Sequence, residues 1–282
     1  MVPMRIAVLM ACHNRKETTV RCLRRLLPQL GGEDRVFLVD DGSTDGTEDE
    51  IVRLFDCSIV RLIQGDGNLF WAKGMALAWC EALKYERRVH SSTSTFAFDY
   101  FLWLNDDVML KPDAIAGLVA DWETCGDTRS VIVGVCSADE SETVCTYGPT
   151  DVKNRLMPPN GILQCVKGWF AGNCVLIPRE TYKAVGIISD AYTHARADYD
   201  YAERLKSAGI PFFCASRYVG TCVRDDAAKM KGKNLWQRIR LLCLPGYCNL
   251  HDLWLIRSRY HGRMRAVVSC VHMVGKLVIG GW

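Results

Sequence analysis

Up to Leu104 the chain alternates short apolar runs with longer stretches of helical periodicity, and this alternation constrains the fold more than any other feature. Arg5–Met10, Val36–Val39, Ile59–Ile63 and Asp99–Leu104 are short enough for buried strands and too short for comfortable helices. Between the first two, Lys16–Leu30 sets Val20, Leu23, Leu26, Leu27 and Leu30 at helical spacing, and Gly31-Gly32 ends the helix. Asp40–Thr47 is rich in turn formers and N-cap residues and leads into a predicted helix from about Glu48 to Phe55. A third helix is expected from Ala72 to about Glu86, carrying Met75, Leu77, Ala78, Trp79 and Leu83. Strand and helix in strict alternation predict an open, mostly parallel α/β sheet.

Ligands of such sheets bind beyond the carboxyl ends of the strands. The polar clusters Asn14-Arg15, Asp40-Asp41, Gly65–Asn68 and Asn105–Asp107 all follow predicted strands, so they should converge on one rim. Asn105-Asp106-Asp107 is the most demanding of them. Adjacent carboxylates at the end of a buried strand repel each other and resist desolvation unless something compensates their charge. A hard divalent cation, Mg²⁺ or Mn²⁺, does so; a solvated loop ahead of a helix starting at Pro112 is the plainer alternative. Neither a Gly-x-Gly-x-x-Gly turn after the first strand nor a Walker loop occurs, which removes simple NAD-binding and P-loop readings. Gly65-Asp66-Gly67-Asn68 either cradles a nucleotide or turns the chain.

In the second half, Ala114, Ile115, Leu118, Val119 and Trp122 mark a helix, and Val131–Val135 and Thr143–Tyr147 read as strands. Asp151–Leu163 reads as irregular. Gly168–Asn173 sets Trp169 and Phe170 between glycines, an arrangement that lines a sugar face or packs a core loop. A strand, Cys174–Ile177, and a helix, Arg179–Val185 closed by Gly186, follow. Asp198 lies near the start of a helix running to Ser207, where a carboxylate is also a plain N-cap, and Asp200 and Arg204 are spaced as a surface ion pair.

Charge is unevenly spread. From Arg224 onward there are 11 Lys/Arg against 3 Asp/Glu, whereas the first 223 residues carry 24 against 29. An acidic body with a basic tail points to an anionic partner for the tail. Of the 14 cysteines, Cys12, Cys22, Cys80, Cys136, Cys174 and Cys214 fall in apolar runs or on helix faces, where free thiols act as small hydrophobes. Met1–Met10 lacks a basic region before an apolar core, so a reducing, cytoplasmic setting is expected. Cys243, Cys248 and His251 offer three zinc ligands at an irregular spacing.

With these residues in hand, the chain resembles the family 2 glycosyltransferases of the GT-A fold, most of all bacterial members that build cell-surface polysaccharides. The resemblance rests on Cys12-His13-Asn14-Arg15, Val39–Thr47, Gly67–Trp71 with Gly74-Met75, Asn105-Asp106-Asp107, Gly172–Pro178, and Asp198–Tyr201 with Arg204, in order across Arg5 to Cys222. It implies that Asn14, Arg15 and Asp41, with Gly67, Asn68 and Trp71 alongside, hold a UDP-, dTDP- or GDP-linked sugar. It further implies that Asp106 binds ribose or sugar, that Asp107 binds Mn²⁺ or Mg²⁺, and that Asp198 is the general base. Trp169, Asn173, His194, Asp200 and Arg204 fall on the acceptor or sugar side. Two departures stand out: Ala197 precedes the base where many relatives have Glu or Gly, and Gly220-Thr221-Cys222 replaces a later His ligand.

The expected organisation is a GT-A catalytic domain over residues 1–223, with a nucleotide-sugar half to about 110 and an acceptor half beyond, and a helical extension over 224–282. In that extension Lys229, Lys231, Lys233, Arg238 and Arg240 surround Leu235 and Trp236, and Arg257, Arg259, Arg263 and Arg265 follow Trp254 and Leu255. Ala266–Trp282 is largely apolar yet shorter than the ~20 residues that span a bilayer. Such a segment suits an anionic membrane surface, or it packs on the body as an ordinary extension. No nucleic-acid reading module accompanies the charge. The function expected is inverting, metal-dependent transfer of a sugar to a glycan or lipid-linked acceptor on the inner face of the cell membrane. A nucleotidyltransferase and a non-catalytic glycan-binding protein are the alternatives.

Overall fold

The computed structural model describes residues 4–90, 96–194, 196–224, 236–237, 240 and 249–279. The first half follows the predicted alternation: β1 (Ile6–Cys12), α1 (Lys16–Leu26), β2 (Arg35–Asp40), α2 (Thr47–Leu54), β3 (Val60–Gln64), α3 (Phe70–His90) and β4 (Tyr100–Leu104). Pro28 tightens the end of α1 into a 3₁₀ turn, Leu27–Gln29, so the α-helix stops short of Leu30. Then come β5 (Met109–Leu110), α4 (Ala114–Glu123), β6 (Val131–Ser137), β7 (Cys145–Tyr147), β8 (Gln164–Cys165) and β9 (Cys174–Pro178). The described elements end with α5 (Arg179–Val185), α6 (Ala197–Ser207), β10 (Phe212–Thr221), α7 (Leu250–His261) and α8 (Arg263–Ile279).

One sheet runs β3-β2-β1-β4-β9-β6-β10-β5, with β7 added on β6 and β8 on β10. From β3 to β4 every pairing is parallel. Beyond β4 the sheet is mixed: β9 lies antiparallel between β4 and β6, while β10 returns parallel to β6. Buried strands are apolar whichever way they run, so their composition does not show direction. The strands β5, β8 and β10 add to those anticipated from the sequence; β10 interrupts its apolar residues with Ser216 and Arg217 and bulges against β6 there.

Alternate residues of each strand feed opposite cores. Leu9, Phe37, Phe101 and Trp103 face α3 and α6 around Trp79 and Tyr201, while Val8, Met10, Leu38 and Leu102 face Leu23 and Leu26 of α1 and Leu118 of α4. Trp79 is fully buried and touches the rings of Phe101, Trp103, Tyr182 and Tyr201 at centroid distances of 5.0–6.1 Å. The twelve described cysteines are free thiols, and burial raises the pKa of Cys174 and Cys214 to about 12.

In the C-terminal segment α7 docks on α6, with Ile256 in the same core as Tyr201 and Leu205, and α8 packs on α7. Among the described residues no helix is long and apolar enough to cross a membrane. Lys229, Lys231, Lys233, Leu235, Arg238, Cys243 and Cys248 lie outside the described residues; His251 bonds to Asp252 through Nδ1 at 3.0 Å. Replacing Trp79 with Ala removes the ring at the centre of one core and should cost about 3–5 kcal/mol. Urea unfolding of the variant measures this.

Candidate active site

The carboxyl ends of β1, β2 and β4 deliver His13, Asp41 and Asn105 to one rim, where a cleft of about 630 Å³ opens. Arg15, Asp41, Gly67, Trp71, Asp106, Asp107, Trp169, Asn173, His194 and Asp198 all line it. Distant stretches of the chain therefore converge as the strand pattern requires, and Asp107 and Asp198 face the same space.

Asp41 builds the first wall. Its Oδ1 accepts the Gly67 N–H at 2.8 Å, and its Oδ2 accepts those of Leu69 (3.0 Å) and Phe70 (2.8 Å). A carboxylate bonded to the first amides of α3 is favoured by the helix dipole as well as by the bonds themselves. The approach leaves no room for a side chain at Gly65, whose Cβ would sit 2.6 Å from Asp41 Oδ1, and Gly67 turns the loop at a φ of +83°. Asp41 thus holds the loop from Gly65 to Phe70 in place. Asn14 serves the neighbouring turn: its Oδ1 accepts from Thr44 N at 2.7 Å and its own N–H donates to Ser43 Oγ at 2.8 Å. Its Nδ2 meets His13 Nε2, which leaves His13 Nδ1–H to donate to Asp41 O at 2.6 Å. Asn68 closes a local turn on Asp66. Neither Asn14 nor Asn68 lines the cleft.

Arg15 bridges the two carboxylates at the floor, reaching Asp106 Oδ1 at 3.2 Å and Asp107 Oδ2 at 2.8 Å. Asp106 also accepts from Thr19 Oγ1 at 3.1 Å. Burial, with the charge of Asp107, lifts Asp106 to about 7 against the pull of Arg15. The other oxygen of Asp107, Oδ1, is buried without a hydrogen-bond partner among protein N and O atoms. The nearby Cys222 thiol stays protonated, because burial and the Asp107 charge raise its pKa. Among the described residues no three His, Cys, Asp or Glu side chains form a metal-binding group. That unpartnered hard oxygen nevertheless fits Mg²⁺ or Mn²⁺ in the manner of sites that take their remaining ligands from substrate phosphates and water.

Gly172 joins the two walls. Its Cβ position is 2.6 Å from the Trp71 ring, whose Nε1–H donates to Asn105 Oδ1 at 2.7 Å. Its N–H donates to Asp198 Oδ2 at 3.1 Å, while Asp198 Oδ1 accepts the Tyr199 N–H at 2.9 Å. Asp198 keeps part of its surface open to the cleft, and burial of its carboxyl raises the pKa to about 6. Beside it Trp169 lies over Tyr199 with ring centroids 3.8 Å apart. Asn173 is buried, with its Nδ2 directed at Cys222 Sγ (3.8 Å).

Asp200 and Arg204 do not line the cleft. Asp200 is fully buried and takes bonds from Arg204, Arg259, Tyr192 and Tyr260, so it ties α6 to α7. The cleft adds Tyr147, Arg196 and Arg224 to the residues expected from sequence. Arg224 lies 5.8 Å from the centre of the Tyr147 ring. Its place two residues after Cys222, where the resemblance ends, was the available signal, but charge counting groups it with the basic tail.

Residues 7–147 match the family described as Glycosyl transferase family 2. Two curated relatives, the N-acetylglucosaminyl-diphospho-decaprenol L-rhamnosyltransferases of two Mycobacterium tuberculosis strains, are 26% identical over 193 residues. The match covers 62% of this chain and 61% of each relative, so the chain spans under two thirds of their length. Among solved structures, the mannosyltransferase PcManGT from Pyrobaculum calidifontis, in complex with GDP-Man and Mn²⁺, aligns with a TM-score of 0.56 at 16% identity. That alignment covers 98% of this chain and 70% of the other. S. aureus TarS 1–349 in complex with UDP-GlcNAc aligns with a TM-score of 0.54 at 10% identity, covering 98% and 83%. These neighbours have the GT-A fold, and so does this chain.

Exchanging Asp41 for Ala strands three amide donors at once. Loss of charge-assisted bonds of this kind costs on the order of 2–3 kcal/mol. Chemical denaturation should show it, together with faster amide hydrogen exchange at Gly67, Leu69 and Phe70.

Proposed function

Because the chain belongs to glycosyl transferase family 2 and is a glycosyltransferase, we propose that it moves a sugar from a nucleoside diphosphate to a glycan or lipid-linked acceptor with inversion. The carrying observation is that Asp107, Arg15 and Asp198 face one cleft from different elements. Family membership leaves the nucleotidyltransferase and non-catalytic readings without support.

In this reading the nucleoside diphosphate lies along the wall built by Asp41, Gly67 and Trp71, with its phosphates toward Arg15 and Asp107. Asp107 would hold Mg²⁺ or Mn²⁺ there, and the ion would supply countercharge for the diphosphate. Arg15 stands beside it as a fixed donor for the leaving oxygen. Asp198 takes the proton of the acceptor hydroxyl as that oxygen bonds to the anomeric carbon. The sugar–diphosphate bond breaks, its electron pair leaves with the diphosphate, and a single displacement inverts the centre. Asp198 suits this role because a base of pKa about 6 is ionised at neutral pH yet binds a proton more readily than an ordinary carboxylate. Trp169, Asn173 and His194 present the acceptor-side surface.

A lipid-linked acceptor is supported by the curated relatives' decaprenol-linked substrate and by the surface of α8. Met264, Val267, Val268 and Val271, spaced as one helical stripe, are exposed between Arg263, Arg265 and Lys276. An apolar stripe flanked by cations fits an anionic lipid surface. The reading therefore places the enzyme peripherally on the inner face of a bacterial cell membrane, in surface polysaccharide synthesis.

A thermal-shift panel of UDP-, dTDP- and GDP-sugars with and without Mn²⁺ tests the donor side. A true donor at 100 times its Kd should add about 2.7 kcal/mol of stability, and no response to any donor would sink the reading. Asp198→Asn should keep nucleoside-diphosphate affinity and lower transfer by roughly 10²–10⁴-fold. In the wild type the rate should rise with pH through about 6, since the base acts only when deprotonated. Val268→Asp with Val271→Asp should weaken co-sedimentation with anionic vesicles by roughly tenfold or more while leaving the solution turnover intact.

A further inference from the structure

Two fully buried carboxylates, Asp200 and Asp252, lie outside the cleft and outside the chemistry just described. Asp252, on α7, accepts the N–H of Thr193 at 3.1 Å and its hydroxyl at 2.9 Å. It also accepts the N–H of His194 at 3.3 Å and pairs with His251 at 3.0 Å. Asn249, which caps α7 by accepting from the His251 and Asp252 amides, donates from Nδ2 to Thr193 Oγ1 at 2.7 Å. The start of α7 is therefore bonded to the loop that delivers His194, Arg196 and Asp198 to the cleft. The end of α7 grips the other side of Asp198: Asp200 Oδ1 accepts from Arg259 at 2.6 Å and from the Tyr260 hydroxyl at 2.9 Å.

Backbone geometry makes this support necessary. Arg196, immediately before α6, has a φ of +75°, a conformation that costs a non-glycine residue energy and persists only where its surroundings over-determine it. Contacts from α7 bracket that residue, through Thr193 and His194 on one side and Asp200 on the other. Removing α7 would also take Arg259 and Tyr260 away from the buried Asp200, and leaving a buried charge short of partners is far costlier than breaking a surface pair.

We propose that α7 is a positioning element of the active site, in which Asp252, through Thr193 and His194, fixes the loop that aims Asp198 into the cleft. The C-terminal segment is then needed for transfer itself, and not only for attachment to a surface. This inference rests on Asp198 as the base, while nucleotide binding belongs to the wall formed by Asp41, Arg15 and Asp107.

The test uses the full chain with Asp252→Ala, Thr193→Val, Thr193→Ser and Asp198→Asn. Binding of UDP, dTDP and GDP with Mn²⁺ is measured by calorimetry. Turnover is followed as nucleoside diphosphate released from the nucleotide-sugar that most stabilises the wild type. Asp252→Ala and Thr193→Val should lower kcat by roughly 10–100-fold with donor KM and nucleoside-diphosphate Kd unchanged, as expected of a misaimed group. Thr193→Ser, which keeps the hydroxyl, should restore kcat. Wild-type kcat in Asp252→Ala and Thr193→Val, beside an inactive Asp198→Asn, overturns this inference alone. A parallel loss of nucleoside-diphosphate affinity overturns it too, because α7 would then be general scaffolding. Normal turnover by Asp198→Asn removes the base assignment instead. Should Asp252→Ala fail to fold, the Thr193→Val and Thr193→Ser pair decides.

Discussion

A buried strand that ends in two carboxylates must find countercharge where it surfaces, and β4 finds it in Arg15. The guanidinium between Asp106 and Asp107 lets the central strand carry charge to the rim without paying the full desolvation cost of an unpaired acid. The balance is incomplete: burial lifts Asp106 to about 7, and one oxygen of Asp107 has no hydrogen-bond partner among protein N and O atoms. Both facts follow from packing two adjacent carboxylates, one of them deeply buried, against a single guanidinium.

The same separation of roles shows across the cleft. Asp41, equally buried, spends its oxygens on backbone amides and acts as an architectural anion. Asp198 also accepts backbone amides, yet its carboxyl lines the cleft and titrates near 6. Type and burial alone would not separate these aspartates; their partners do.

Much of the first half was legible in the sequence, because parallel strands joined by helices announce themselves through alternating periods and place their polar turns on one edge. The direction of β9 and the presence of β10 were not, since buried strands look alike in composition and β10 is broken by Ser216 and Arg217. Asp200 and Arg204 read locally as a surface pair, but Asp200 is fully buried by α7, whose residues lie 59 and 60 positions later in the chain. Asn14 carries a motif position and yet spends its amide on the Ser43-Thr44 turn. In each case the deciding partner is distant in sequence, where no local pattern reports it. The tail likewise divides in three dimensions: α7 is part of the body, whereas α8 keeps an apolar stripe exposed.

Gly172 is where the two sides of the molecule touch, with the Trp71 indole against its α-carbon and Asp198 on its amide. The gauge between the Trp71 wall and the Asp198 carboxyl is consequently set by a single hydrogen atom, the smallest spacer a polypeptide can offer. Any other side chain there would act as a shim, prying the indole from its bond to Asn105 and spreading the two walls of the cleft.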